Sequence, residues 1–314
     1  SGGLSLDTDL VIVAVGVRPR SSLAADAGLD IGSYGGILVD EFMRTSDPHI
    51  WSAGDVIETT NTITGEPIYM PLAGPANRQG RLAADSIMGR GRPFRGVQGT
   101  VVCGLFDLTV ASTGLSRKHL EAQNTIEWDT VWLHPKNHVG YYPGAQFVHL
   151  EVNYAIHDGR ILGAQAVGGA GTARRIDVIS MAIQLKGSVY DLEEAELCYA
   201  PQYGSAKDAV NVTGMLAANR LRGDFQSTTW EEIDGHSGLL VDVREEHEFT
   251  EDHISGAVNL PLSQLRERLE EIPPHTRLNV YCQSGKRSYE AVRMLHQRGY
   301  EARSVLGGLM SAMR

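Results

Sequence analysis

Apolar positions along this chain change rhythm several times, and each change marks a different kind of element. LVIVAVGV at residues 10–17 is a continuous apolar run of strand length, which predicts a buried strand. Two shorter runs, ILV at 37–39 and HIWSA at 49–53, predict further strands on either side of a TSDP turn. In PLAGPANRQGRLAADSI, residues 71–87, Leu82, Ala83 and Ile87 recur at helical spacing and predict a helix starting around Leu72 to Gly74. From about residue 98 the period drops to two, in VVCGLFDLTVASTG, HLEVNYAI and ILGAQAVG, before RIDVISMAIQLKG returns to a helical period. Strands first and helices after them predict an α+β unit. The polar stretch NRLRGDFQSTTW, residues 219–230, reads as a linker. Beyond it, Leu278, Val280 and Tyr281 form a short β-rich strand, and Ala291, Met294 and Leu295 share one face of a helix.

Composition narrows the class. With 314 residues there is room for two or three domains, and 42% hydrophobic with 21% charged residues is ordinary for a globular protein, although 35 glycines are many. A formal net charge of −10 argues against nucleic acid or an anionic membrane surface as a main partner. The run at 10–17 is far too short to span a bilayer. Three cysteines without a disulfide framework predict a reducing, cytoplasmic setting. The eleven histidines show no metal-ligand spacing with Cys103 or Cys198, so no metal is expected and both cysteines are read as core residues.

Cys282 stands between the strand at 278–281 and the following helix, at the head of the loop CQSGKR. A strand, a tight turn with a permissive glycine at 285 and a helix start aim backbone N–H groups into one concavity, which favours an anion. Lys286 and Arg287 add positive charge, and the thiolate is the nucleophilic form of cysteine. Read alone, the loop is equally compatible with a buried strand-end cysteine beside surface basic residues. Upstream, LLVDVREEHEFTEDHISGAVNLPL supplies VDVRE with Asp242 and Arg244, and HISGAVNLP from His253 to Pro261. These motifs, in order with the loop, resemble the rhodanese family over roughly residues 228–314. Asp252 stands before His253 where the family usually has glycine. The resemblance implies that Cys282 carries a persulfide cradled by loop amides, with Arg287 holding the loop's charge. Four residues between Cys282 and Arg287, against five in tyrosine phosphatases, suit a sulfane sulfur better than a phosphate.

The earlier segments carry a second resemblance. AVGVRP, residues 14–19, is similar to the end of the NAD-binding domain in the pyridine nucleotide-disulfide oxidoreductases, which would place Gly16 near the nicotinamide. In HIWSAGD, an Asp directly after a Gly can accept a hydrogen bond from a ribityl hydroxyl, while the glycine leaves room for the chain of a cofactor. A simple cap of the next element is the alternative for Asp55. From Thr45 to Gly54 and Asp55 the pattern resembles the second FAD fingerprint of the same family. The helix start at Leu72 and Ala73 would then point its positive end at an electron-rich flavin edge.

HVGYYPGA and ELCYAPQYGSAKDAVNVTGMLAANRL narrow the likeness to the coenzyme A-disulfide reductases and NADH-dependent persulfide reductases. The resemblance implies a homodimer in which Tyr141 and Tyr199 reach the partner's site and give a hydrogen bond or proton to a departing thiolate. Packing of Tyr141 and Tyr142 beside the turn at Pro143 is the alternative. GGAGTARRIDVI, residues 168–179, imitates a dinucleotide fingerprint, but Arg174 occupies the third glycine position and no parallel strand with an acid follows. It reads as a Gly-rich turn.

The expected fold class is therefore α/β: the C-terminal part of a two-dinucleotide-domain flavoprotein, an α+β dimerisation domain and an α/β rhodanese domain. The corresponding segments are 1–25 for the end of the NAD-binding domain and 26–97 for the C-terminal part of the FAD-binding domain. Residues 98–222 make the dimerisation domain and 228–314 the rhodanese-like domain. The first FAD motif and a Ser-Phe-x-x-Cys redox cysteine are expected in a preceding half. The expected function is FAD-dependent, NAD(P)H-driven reduction of CoA disulfide, CoA persulfide or polysulfide. The alternatives are a sulfurtransferase on a dimeric flavoprotein-like scaffold and an NADH oxidase or peroxidase.

Overall fold

The structure, a computed structural model, describes residue 3 and residues 5–233 and 238–312. It divides into two compact units, Ser1–Gly99 and Thr100–Arg314.

In the first unit the predicted strand at 10–17 is not a strand. Leu10, Val11, Ile12, Val13, Val15 and Val17 are all exposed, and none of them pairs with another described residue in a ladder or bridge. An apolar run becomes a strand only when neighbours take up its N–H and C=O groups. The runs at 37–39 and 49–53 shrink to isolated bridges Ile31–Ile37, Ile37–Ile57 and Arg44–Trp51. Side chains organise the turns beside them: Asp40 accepts from the N–H groups of Phe42 and Arg44, and Asp47 from that of His49. Regular structure comprises helix α1 (Ser22–Asp26), an antiparallel pair β1 (Thr59–Thr60) and β2 (Pro67–Ile68), and helix α2 (Ala73–Ile87). Leu82 and Ala83 of α2 pack with Ile37, Met43, Ile57 and Phe94, as the helical spacing predicts.

The second unit holds two sheets. Strands β3 (Val101–Leu105), β4 (Leu108–Gly114), β5 (Trp128–Leu133), β6 (Val148–Ala155) and β7 (Ile161–Gly168) form an antiparallel sheet of order β3-β4-β7-β6-β5. Helix α3 (Arg117–Gln123) follows β4, and helix α4 (Thr172–Gln184) lays Ile176, Ile179 and Ile183 on β4 and β7. Helices α5 (Val189–Glu193) and α6 (Ala209–Leu221) complete this α+β layer. Both cysteines read as core are in fact exposed: Cys103 lies on β3, paired on one side only, and Cys198 in the segment between α5 and α6. All five residues of β3 are exposed, so neither face of that strand is covered.

The predicted linker is shorter than its polar composition suggests. Residues up to Leu221 belong to α6, while Phe225 is already core and Ser227–Thr228 is strand β8 of the next sheet. That sheet, of order β10-β9-β11-β12-β8, is parallel throughout. It comprises β9 (Leu239–Asp242), β10 (Val258–Asn259), β11 (Leu278–Tyr281) and β12 (Ala302–Val305), with helices α7 (Glu246–Glu251) and α8 (Lys286–Gln297). Apolar clusters cover both faces, one around Val241, Val280 and Leu295, the other around Tyr281, Val305 and Trp230. Burial on both sides explains why β11 is buried at every position, as parallel strands are.

Candidate functional site

Cys282 sits at the carboxyl end of the central strand β11, where an open parallel sheet presents its loops. It is 1% exposed, and its Sγ accepts the N–H of Gly285 at 3.2 Å. Gly285 (φ +95) caps α8 in the left-handed region, and a Cβ there would meet the backbone of Gly307 at 3.3 Å. The 3₁₀ turn Gly308–Ser311 closes on the loop from behind: the N–H of Leu309 donates to the Cys282 carbonyl at 2.8 Å and that of Met310 to the Gln283 carbonyl at 3.0 Å. A sulfur at the N-terminus of a twelve-residue helix, with an amide already on it, is an arrangement that stabilises negative charge.

Arg287 lies within reach of Cys282, yet its main partner is a residue the sequence reading missed. Its guanidinium holds Glu248 in a fork, at 2.5 and 2.8 Å, which raises it above its ordinary value first through that bond and further through Cys282. Glu248 is correspondingly lowered to about 2, first by its hydrogen bond to Arg287. It also accepts the N–H of Glu245, closing the capping box of α7. A motif of the form S/T/D/E-x-x-E at 245–248 was the available signal. Because the folded value is depressed below 4.5, this interaction contributes its full stability above that pH. It is lost as pH falls from 4.5 through about 2. Acid unfolding of the wild type is therefore expected to steepen in that window, and Glu248→Gln to flatten the curve there. Identical curves for both proteins by circular dichroism would refute the assignment.

The VDVRE motif forms a buried ion pair. Arg244 donates three bonds to the Asp242 carboxylate at 2.7–3.1 Å, one to the Asp252 carbonyl at 2.6 Å and one to the Gln283 side chain at 3.3 Å. Asp242 is 0% and Arg244 3% exposed. Their part is to hold the segment before His253 against the Cys282 loop. His253 itself stacks on Phe249 at 3.9 Å and bonds to the Phe249 carbonyl.

The structure brings Tyr141 and Tyr199 together. Tyr199 is raised above the usual phenol value, first by its hydrogen bond to Tyr141. Both are exposed, at 78% and 47%. Their loops are joined by the N–H of Val139 donating to the Gly204 carbonyl at 3.0 Å. Below them Arg175 donates to the Asn137 carbonyl at 2.7 Å and to both carboxylate oxygens of Asp208 at 3.0 and 2.8 Å. Arg174 bonds to Asp208 and to the Tyr203 carbonyl. The GGAGTARRIDVI stretch thus supplies the anchor of the tyrosine loops; nothing in its spacing pointed to that role.

In the first unit, Gly54 (φ +84) lies against the first turn of α2, since a Cβ there would stand 3.7 Å from that of Ala76, and its N–H donates to Gln79 at 2.9 Å. This places Gly54 and Asp55 beside the helix start at Leu72 and Ala73, where no side chain caps the helix. Asp55 is exposed and raises Tyr69, after burial, above its ordinary value. A carboxylate beside a glycine and an uncapped fifteen-residue helix can receive a hydroxylated chain and an electron-rich ring edge. Gly16 (φ +78) stays in the exposed stretch, with no described atom within 4 Å of where its Cβ would be. Among the described residues no group of three or more His, Cys, Asp or Glu could hold a metal ion, and no helix is long and apolar enough to cross a membrane.

Residues 1–80 match the family described as pyridine nucleotide-disulphide oxidoreductase, and residues 100–209 its dimerisation domain. Residues 226–312 match the rhodanese-like domain. The chain belongs to the pyridine nucleotide-disulphide oxidoreductases, with a rhodanese-like domain following the dimerisation domain. Among its relatives, the coenzyme A disulfide reductase of Staphylococcus haemolyticus is 35% identical over 216 residues, 68% of this chain and 48% of the relative. The NAD(P)H sulfur oxidoreductase (CoA-dependent) of Pyrococcus abyssi is 34% identical over 204 residues, 65% and 45% of the two chains. The crystal structure of reduced Bacillus anthracis CoADR-RHD superposes with a TM-score of 0.93 and 45% identity, covering 96% of this chain and 55% of that one. The NAD-dependent persulfide reductase from A. fulgidus gives 0.90 and 37%, covering 97% and 56%. The chain spans about half the length of the relatives it matches.

Proposed function

We propose that the protein to which this chain belongs reduces CoA persulfide, CoA disulfide or polysulfide with electrons from NAD(P)H through FAD, and that its C-terminal domain carries the sulfane sulfur on Cys282. The observation that supports this most is the Cys282 loop itself: a buried sulfur at a helix start, an amide donating to it, and Arg287 alongside. The Cys282 thiolate attacks a sulfane sulfur, the bond to the rest of the donor breaks, and that remainder leaves as an anion. Cys282 then holds a persulfide whose outer sulfur passes to an acceptor thiol. Bound flavin would supply two-electron transfer from the reduced nicotinamide. Gly54 and Asp55 would hold its ribityl chain and the Ala73 end of α2 its ring edge, with Gly16 toward the nicotinamide. Tyr141 and Tyr199 would hydrogen-bond the thiolate released from a CoA-linked substrate, each pair completing the site of a partner in a homodimer. Three free cysteines suit a cytoplasmic setting.

Two substitutions separate the chemistries in the complete enzyme. Asp55→Ala is expected to lose flavin, because a hydrogen bond to a charged group contributes about 1.5–3 kcal/mol. Sulfur transfer from thiosulfate to cyanide should survive in that variant. Tyr199→Phe is expected to slow reduction of CoA persulfide roughly ten- to hundredfold while leaving flavin reduction by NADH intact. Full flavin occupancy in Asp55→Ala would remove the placement of FAD, and unchanged turnover in Tyr199→Phe would return that phenol to a packing role. A wild-type enzyme without flavin would favour the sulfurtransferase alternative. One that consumes NADH with oxygen alone would favour the oxidase, a name carried by the 35%-identical Methanocaldococcus jannaschii relative.

A further inference from the structure

The turn that closes on the Cys282 loop is itself held from outside the rhodanese-like domain. His134 follows β5 of the antiparallel sheet and is 9% exposed. Its Nε2 lies 2.7 Å from the Ser311 hydroxyl, and its Nδ1 lies 2.8 Å from Nδ1 of His149 on β6. Burial, and then His149, lower His134 to about 4, so it is neutral near pH 7. A neutral pair sharing one proton between its Nδ1 atoms leaves no polar group unmatched. If His149 donates, His134 carries its proton on Nε2 and donates to Ser311; if His134 donates, the Ser311 hydroxyl donates to Nε2. Either way Ser311 is fixed. A Cβ on Gly307 would stand 2.7 Å from the same Nε2, so the turn lies directly against the imidazole.

What Ser311 fixes bears on the sulfur. The preceding two residues of its turn donate to the carbonyls of Cys282 and Gln283. A trans peptide is planar, with C=O and N–H pointing opposite ways. Drawing those two carbonyls toward the turn therefore aims the N–H groups of Gln283 and Ser284 away from it, the orientation an anionic outer sulfur in the loop requires. We propose that His134, backed by His149, is a positioning residue for sulfur transfer. Through Ser311 it sets the peptide planes of the persulfide loop, so the dimerisation domain tunes the rhodanese-like domain. This rests on the reading of Cys282 as a sulfur carrier.

The test uses the full 314-residue chain with thiosulfate as donor and cyanide as acceptor. His134→Ala and Ser311→Ala are each expected to lower kcat roughly three- to tenfold, the worth of one hydrogen bond, with KM for thiosulfate little changed. The double variant should lose no more than either single one, because both break one link. His134→Gln, whose amide can reach Ser311, should restore most of the rate. Unchanged kcat in both alanine variants would overturn the proposal, as would losses that multiply in the double variant. A His134→Ala effect that follows a fall in melting temperature and is not rescued by Gln would overturn it too. If His134→Ala does not fold, Ser311→Ala decides on the same criterion. Cys282→Ser serves as the control: transfer surviving it removes the parent reading. Transfer abolished there but intact in the other variants removes this inference alone.

Discussion

Cys282→Ser is expected to reduce sulfur transfer to background, a loss of at least about three orders of magnitude, because removal of a nucleophile is among the costliest changes to a site. A serine hydroxyl is a far poorer nucleophile toward a sulfane sulfur than a cysteine sulfur held against an amide and a guanidinium. The substitution removes one polarisable sulfur and leaves the loop's carbonyl anchors to Leu309 and Met310 in place, so the fold should persist. Arg287→Ala provides the comparison. It removes charge beside the sulfur and also leaves Glu248, otherwise lowered to about 2, without its guanidinium partner. Loss of one charge-assisted pair predicts a decrease of roughly ten- to hundredfold, smaller than for Cys282. Arg287→Lys should recover part of it, since a point charge cannot reproduce the fork on Glu248. Thiosulfate-to-cyanide turnover measures all three, and an Arg287→Ala loss equal to that of Cys282→Ser would mean that the guanidinium acts on the sulfur directly.

Sequence made the local parts of this site legible and left the distant ones hidden. Strand β11, the glycine at 285 and helix α8 follow from patterning within a single window; the structure has the strand at 278–281 and starts the helix at Lys286, inside the expected turn. Helix α2 is equally local. Glu248, His134 and Ser311 reach the loop across 39 residues or through another sheet, and no periodicity encodes such contacts. The run at 10–17 failed as a strand for the complementary reason: its apolar pattern was present, but no described residue pairs with it. Tyr141 and Tyr199 were named only through family resemblance. One tyrosine loop is tied at Asn137 by Arg175, which lies in the stretch that imitated a glycine motif, and Arg175 in turn bonds to Asp208 at the start of α6.

Arg175→Ala is the substitution expected to cost most in stability. The side chain is 1% exposed and Asp208 4%, so this is an ion pair removed from water on both sides. Burial lowers the guanidinium below its ordinary value, with the charge of Asp208 opposing that, the signature of a cation whose tolerance depends on its partner. Deleting it would take from Asp208 its buried partner, leaving it the half-exposed Arg174 and the Val210 N–H, and would take a donor from the Asn137 and Gly171 carbonyls. Breaking a buried pair from one side costs about 3–5 kcal/mol. For a unit of this size that corresponds to a melting temperature lower by roughly 6–20 °C. Asp208→Asn should cost less, because asparagine still caps α6 through the Val210 N–H, although two arginines then lack an acid. Arg174→Ala, from a side chain 42% exposed, should cost under about 1 kcal/mol. The functional consequence follows the same geometry. Arg175 ties the Asn137 end of one tyrosine loop to α4 and α6, so its loss should impair reduction of a CoA-linked substrate more than sulfur transfer at Cys282, which has separate supports. Differential scanning calorimetry with both assays distinguishes the cases. A melting temperature within a couple of degrees of wild type for Arg175→Ala would show that the pocket refills with water and that the pair is not what holds the tyrosine loops.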